Sequence, residues 1–237
     1  MKPPKPETWM RLTSINVGHI EQLGFDGAEA WFDQPWTTGI FKRSIHGPVR
    51  VGTLGLAGDQ QADLTVHGGA DKAVCAYSGD HYPVWQRELL IDEFDAAAFG
   101  ENLTLAGLTE QDVCIGDVWT LGEAQLQVSQ PRQPCWKLAR KWRIKTLTAQ
   151  AVDNGRTGWY FRVLREGLVN AGDRLVLVSR RSPQWTIAAA NAVMHHRIHD
   201  AEAAGQLAGV DGLSASWVRT MLSRVRSQTG QKPGTAL

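Results

Sequence analysis

From Trp36 to Ser179 the chain reads as short apolar runs, each closed by a turn signal, and this limits the fold more than any other feature. Gly47–Pro48 punctuates before Val49–Leu54. Ala124, Leu126 and Val128 alternate with Gln125, Gln127 and Ser129, the period of a strand with one buried face. Trp159–Leu164 is β-branched and aromatic. Arg174–Ser179 is apolar on both faces, which predicts a central strand. Gly116–Asp117 places a turn or bulge inside Val113–Leu121, and Arg11–Ile20 is a further strand candidate in an otherwise polar, irregular segment that ends near Pro35. Helices are fewer here: His81–Leu90, Trp136–Trp142, and a helix that Thr146 can cap and Asn154–Gly155 can end. Many short strands with few helices predict a closed or sandwiched β-core.

After Ser179 the pattern changes. Thr186 can cap a helix that runs through Met194. Asp200–Ala208 is Ala-rich. Ser214 or Ser216 can cap a third helix, in which Trp217, Val218, Met221, Leu222 and Val225 form an apolar stripe. The expected fold class is mainly β with some α, with a β-barrel-like domain over residues 1–180 and a three-helix domain over 181–228. A disordered tail is expected over 229–237, within a polar stretch that begins at Ser227. The helical unit, at roughly 45 residues, is short for independent folding and is expected to dock on the β-core.

Composition excludes several function classes. The 25 basic and 24 acidic residues leave a net charge of +1, which argues against coating nucleic acid or membrane by bulk charge. The C-terminal helices invite a helix-turn-helix reading, but Arg197, Arg219, Arg224 and Arg226 against Asp200, Glu202 and Asp211 are barely basic. The longest stretch free of charged residues, Ser182–His196, is too short and polar for a membrane span. The first ten residues show no apolar leader, and three cysteines without a C-x-x-C spacing disfavour disulfides and a Cys-rich zinc site. A cytoplasmic setting with reduced thiols is expected. Ten tryptophans are many for this length; buried structural roles are the commoner use, pocket linings the other.

The segment Ser129–Leu138 carries the most chemistry. A strand ends at Ser129, two prolines stiffen the exit, and Cys135 follows at a helix start. Helix N-termini and nearby cations favour a thiolate, and no acid lies between Gln130 and Gln150. Cys135 is therefore the thiol expected to have a lowered pKa, as a nucleophile, a sulfur carrier or a soft metal ligand. On spacing alone a structural cysteine beside a solvated basic helix remains equally open. Cys75 and Cys114 sit in apolar runs and read as core. Asp59, Asp63 and His67 stand four apart, but the glycines that follow argue against a lasting helix and favour tight turns. Those turns could bring backbone N–H groups to an anion, with Lys72 adding charge. Glu101 and Asn102 could bond a polar heterocycle or close a turn. His195, His196 and His199 read as a surface cluster, without a third zinc ligand in sight.

Taken in order, several segments resemble the MOSC family, the domain named for the C-terminal part of molybdenum-cofactor sulfurases, and within it the YiiM-like branch. They are Thr38–Lys42, GLAGDQQADLTVHGGADKAV at 55–74, HYPVW at 81–85, FGENL at 99–103, IGDVW at 115–119, VSQPRQPCWKL at 128–138, TGWYFRVL at 157–164 and AGDRLVLVS at 171–179. The resemblance covers about Trp36 to Ser179, and the C-terminal helices look like the three-helix appendage of that branch. It implies a MOSC β-barrel-like core and a molybdenum cofactor (molybdopterin), with Cys135 as metal ligand and catalytic residue. It further implies His67 as a second catalytic candidate, and Lys42, Lys72, Glu101, Asn102, Arg132 and Lys137 as cofactor-binding candidates. The implied activity is reduction of N-hydroxylated compounds such as 6-N-hydroxylaminopurine, detoxifying such base analogues. No flavin, haem or iron–sulfur motif is visible, so a separate flavoprotein reductase would donate electrons. The expected partners are then a small N-hydroxylated substrate and that reductase, without nucleic acid or membrane, and a homodimer is compatible. Two rival expectations are a sulfur-carrier or cofactor-handling protein using the same cysteine, and a non-enzymatic binding module built on the C-terminal helices.

Overall fold

The computed structural model describes residues 10–229. In chain order its strands are β1 (Arg11–Val17), β2 (Glu21–Leu23), β3 (Trp36–Thr38), β4 (Arg43–Ile45), β5 (Val49–Gly52), β6 (Gly55–Leu56), β7 (Val74–Ser78), β8 (Leu103–Ala106), β9 (Val118–Leu121), β10 (Ala124–Pro131), β11 (Trp159–Arg165), β12 (Gly167–Val169) and β13 (Leu175–Ser179). The helices are α1 (Leu64–His67), α2 (Tyr82–Leu89), α3 (Trp136–Trp142), α4 (Leu147–Asp153), α5 (Ile187–His195), α6 (Ala201–Ala208) and α7 (Ala215–Thr229).

The main sheet runs β13-β9-β10-β11-β7-β8-β1-β4, antiparallel except for the β7–β8 pair. It closes on itself. Arg11 bridges Arg174, Leu12 N–H donates to Asp173 O at 2.9 Å, and Leu175 N–H donates to Met10 O at 3.0 Å. Seven strands therefore form a barrel, which removes the open edges a sheet of this size would otherwise expose. Its interior carries the fully buried Leu12, Ile15, Leu103, Leu105, Leu126, Val128, Trp159 and Phe161. Helix accounts for 30% and strand for 28% of the structure. The sheet organises the fold and the helices pack around it.

The strand expected within Arg11–Ile20 is present as β1, and two other expectations need correction. β1 lies outside the Trp36–Ser179 stretch, yet it closes the barrel; its polar neighbours masked an apolar pair, Leu12 and Ile15, that faces the core. β13 is not a doubly covered central strand, because Val176 and Val178 are 44% and 54% exposed. The anticipated Val113–Leu121 strand begins only at Val118. Before it, Asp117 accepts from Cys114 N–H at 2.8 Å to form a turn, with Gly116 at φ +79°. A Cβ there would meet Asp211 O at 2.4 Å, so only glycine fits.

The three C-terminal helices share one continuous apolar core with the barrel, through Ile187, Val193, Leu207, Trp217 and Met221. Thr186 and Asp200 cap α5 and α6 through their side chains. In α7 the stripe holds at Trp217 and Met221 but not at Leu222, which is 41% exposed. α7 extends through Thr229, so Ser227–Thr229 are helical rather than disordered. The rest of the expected disordered tail, and the first nine residues, lie outside the described residues. No helix among the described residues is long and apolar enough to cross a membrane.

Candidate functional site

One rim of the barrel opens into a cleft. Strand pairing fixes its floor: Tyr160 of β11 lies opposite Cys75 of β7, and Ala76 lies opposite Leu103 of β8, next to Asn102. Pro131 ends β10 opposite Trp159, so the chain leaves the barrel at Arg132 and re-enters regular structure at α3. Cys135 is the N-cap residue of α3, in extended conformation. α3 is held by Leu138, which belongs to a second apolar cluster that includes Phe94, Phe99 and Leu147.

The inner chamber is lined by Lys42, Asp59, His67, Lys72, Cys75, Asn102, Arg132, Cys135, Lys137 and Tyr160, with Gly39 among the backbone contributors. An outer chamber shares His67, Lys72, Cys135, Lys137 and Tyr160 with it and adds Trp36, Asp63, Gln133 and Trp136. Cys135 thus stands where the two chambers meet.

Arg132 is the unusual member. It is 6% exposed, and among the described residues its Nη1 has no hydrogen-bond partner and no carboxylate forms an ion pair with it. Phe99 lies under the guanidinium, 5.8 Å away. Burial works to discharge the group, but the nearby Glu101 carboxylate favours its charged form, and the guanidinium stays protonated. A buried, charged and unpaired guanidinium is costly unless an anion completes it.

The other cations differ. Lys42 forms a buried ion pair with Asp59, so its charge is already neutralised. Asp59 also accepts from Gly18 N–H at 2.9 Å and from Asn102 Nδ2 at 2.9 Å. Lys72 Nζ donates to Val66 O at 2.7 Å, and burial lowers its pKa. The His67 pKa is lowered by burial and then by Lys137 and Arg132, so its ring is neutral at pH 7. Burial pushes the Cys75 thiol up to about 11 and raises the Tyr160 phenol as well, so both keep their protons.

Of the residues singled out from sequence, Lys42, His67, Lys72, Asn102, Arg132, Cys135 and Lys137 meet in this cleft. Glu101 does not line it. Its carboxylate accepts from Tyr82 OH, Ala97 N–H, Phe99 N–H and Thr104 OH, which fixes the turn before β8. Asn102 faces the cleft but is also a clamp: Oδ1 accepts from Cys75 N–H at 3.1 Å and Nδ2 donates to Asn16 O at 3.3 Å. Asp63 caps the short α1 instead of joining a metal site, and no cluster of metal-ligating side chains occurs among the described residues. Asp59, Cys75 and Tyr160 line the cleft without having been singled out as site residues. Tyr160 had a signal, a polar-tipped aromatic in a strand. Cys75 had none, since a buried thiol reads as core.

A family model, the MOSC domain, matches residues 63–176, and a second, the YiiM-like 3-alpha helix domain, matches residues 185–228. A Bacillus subtilis relative, uncharacterized protein YflK, is 44% identical over 89% of this chain and 92% of its own length. The chain belongs to the YiiM-like MOSC-domain family. The crystal structure of YiiM from Geobacillus stearothermophilus superposes with a TM-score of 0.76 at 40% identity, covering 91% of this chain and 99% of that one. A protein named reductase from Gibberella moniliformis is 36% identical over 82% of this chain, which spans 33% of that longer relative. The matched family segments contain His67, Lys72, Asn102, Arg132, Cys135, Lys137 and Tyr160. Lys42 and Asp59 precede them.

Proposed function

We propose that this chain is a MOSC-type oxidoreductase that binds a molybdenum cofactor in the cleft through Cys135 and reduces N-hydroxylated compounds such as 6-N-hydroxylaminopurine. The observation that carries this reading is Arg132, a buried guanidinium with an orphaned Nη1, in the same cleft as a partly exposed thiol. Family membership and the reductase relative lend support. The residues fit a phosphate-bearing pterin dithiolene. Arg132, with Lys72 and Lys137, provides an anion site, and Asp59 adds no repulsion because Lys42 pairs with it. Cys135 would hold the metal, a soft donor matched to a soft donor set. When bound, the cofactor supplies a two-electron redox centre.

The reaction is R–NH–OH + 2 e⁻ + 2 H⁺ → R–NH₂ + H₂O. The N–O bond breaks, the oxygen leaves as water, and a separate flavoprotein reductase provides the electrons. The chain's own part is binding, orientation and proton handling. Neutral His67 can accept a proton at one ring nitrogen and release it from the other. Cys75 and Tyr160 keep the inner wall uncharged, so Arg132 remains available to an anion. A cytoplasmic setting, where thiols stay reduced, suits Cys135.

The test is molybdenum content by elemental mass spectrometry, on wild-type and Cys135→Ser protein purified from cofactor-competent cells. Near-stoichiometric metal in wild type, little in the variant, and reduction of 6-N-hydroxylaminopurine by wild type are expected. No metal in either would overturn the reading. A persulfide on Cys135 would then favour sulfur carriage.

A further inference from the structure

The outer chamber contains an aromatic arrangement that the proposed chemistry at Cys135 does not use. Trp136, the residue after the thiol, is 46% exposed at the cleft. An indole is among the costliest side chains to leave in water. It is also held in place. Trp36 packs on it with ring centroids 5.7 Å apart and planes at 52°, and Trp31 lies 6.5 Å away. The Arg140 guanidinium sits 5.0, 5.3 and 5.6 Å from the centroids of Trp36, Trp136 and Trp31, and donates to Gln34 O. Three indoles thus converge on one buried cation. Trp136 is the most exposed of the three and presents its indole to the chamber. Gln133 lines the same chamber with its carboxamide free of partners among the described residues, a donor and an acceptor for the edge of a heterocycle.

We propose that Trp136, braced by Arg140 and Trp36, is the stacking platform on which a planar heteroaromatic substrate lies while its reacting substituent reaches toward Cys135. This makes Trp136 a specificity-determining residue that favours flat bases over small or non-planar N-hydroxylated compounds. The inference rests on the cleft being the substrate site proposed above, but it does not depend on the redox step. Stacking tolerates any base, because every base has a π-face, and the Gln133 amide adds edge recognition.

The experiment is calorimetric titration of adenine, a planar and unreactive probe, and separately of inorganic phosphate, into wild type, Trp136→Leu and Trp136→Phe. All three proteins come from cofactor-competent cells and have their metal content measured. Adenine affinity is expected to fall roughly tenfold or more in Trp136→Leu and to stay within about threefold of wild type in Trp136→Phe. Phosphate affinity, measured on the same three proteins also produced without cofactor so that the Arg132 side of the cleft is open, is expected to stay unchanged in both. The inference is overturned by unchanged adenine affinity in Trp136→Leu, by loss of phosphate affinity in parallel with adenine, or by wild type that binds no adenine. Molybdenum content and 6-N-hydroxylaminopurine reduction in wild type decide the reaction separately. Metal-bearing, active wild type with unchanged adenine affinity in Trp136→Leu would sink the platform alone.

Discussion

Replacing Arg132 with Met should make the cofactor-free protein more stable while abolishing its affinity for anions. The guanidinium is 6% exposed, forms no ion pair and leaves Nη1 without a partner. A charge buried this way costs several kcal/mol even after relaxation. Little offsets that cost here. Cys75 and Tyr160 keep their protons, and the Glu101 carboxylate is already committed to four donors. The contact with Phe99, at 5.8 Å, is at the weak end of cation–π distances. Methionine keeps the aliphatic stem's packing and removes the charge, for a net gain of about 1–3 kcal/mol. For a chain of this length that is a rise in Tm of roughly 2–12 °C. Differential scanning fluorimetry with and without phosphate reads both effects. Wild type should gain Tm as phosphate rises, by mass action on the folded state, and Arg132→Met should start higher and gain nothing. A lower Tm in Arg132→Met that still climbs with phosphate would refute the argument, showing that the guanidinium stabilises the fold and that the anion binds elsewhere.

Lys141, half-buried beside Phe41 and Trp142 with its ammonium on Ala97 O, has its pKa lowered to about 8 by desolvation. A lysine ε-carbon titrating near that pH by NMR should vanish in Lys141→Met. For His67 the folded pKa lies below the free value of 6.5, so the unfolded chain takes up the proton first. Its contribution to stability is intact above that pH and is lost as pH falls below it, and His67→Gln should show a shallower acid-side loss of Tm. Asp71 accepts from Ala215 N–H at 3.0 Å at the start of α7 and pairs with Arg162. Asp71→Asn should therefore cost about 1 kcal/mol and speed amide exchange in the first turn of α7, read by hydrogen-exchange mass spectrometry.

What could be read from the sequence follows from whether a residue's role is set locally. The strand at Ala124 and the helix at Trp136–Trp142 were legible because periodicity and proline exits are local signals. So was Cys135 at a helix start, since two prolines and a run without acids mark it. Leu12 and Ile15 in β1 were not recognisable as barrel-closing, because that depends on Asp173 and Leu175, more than 150 residues later. Asp59 shows the same limit at the site. In the sequence it is one of three polar residues at four-residue spacing, ahead of glycines that favour tight turns. In the fold it neutralises Lys42 and ties Gly18 and Asn102 to the cleft wall. That reverses the reading of two neighbours at once. Lys42 stops being a free cation for an anionic ligand, and Arg132 becomes the one whose charge is unspent. Charge counting along the chain ranked both alike. Only the partner each finds in space separates a structural ion pair from a binding group, so an orphaned buried Nη1 says more about function than the five basic residues that follow it.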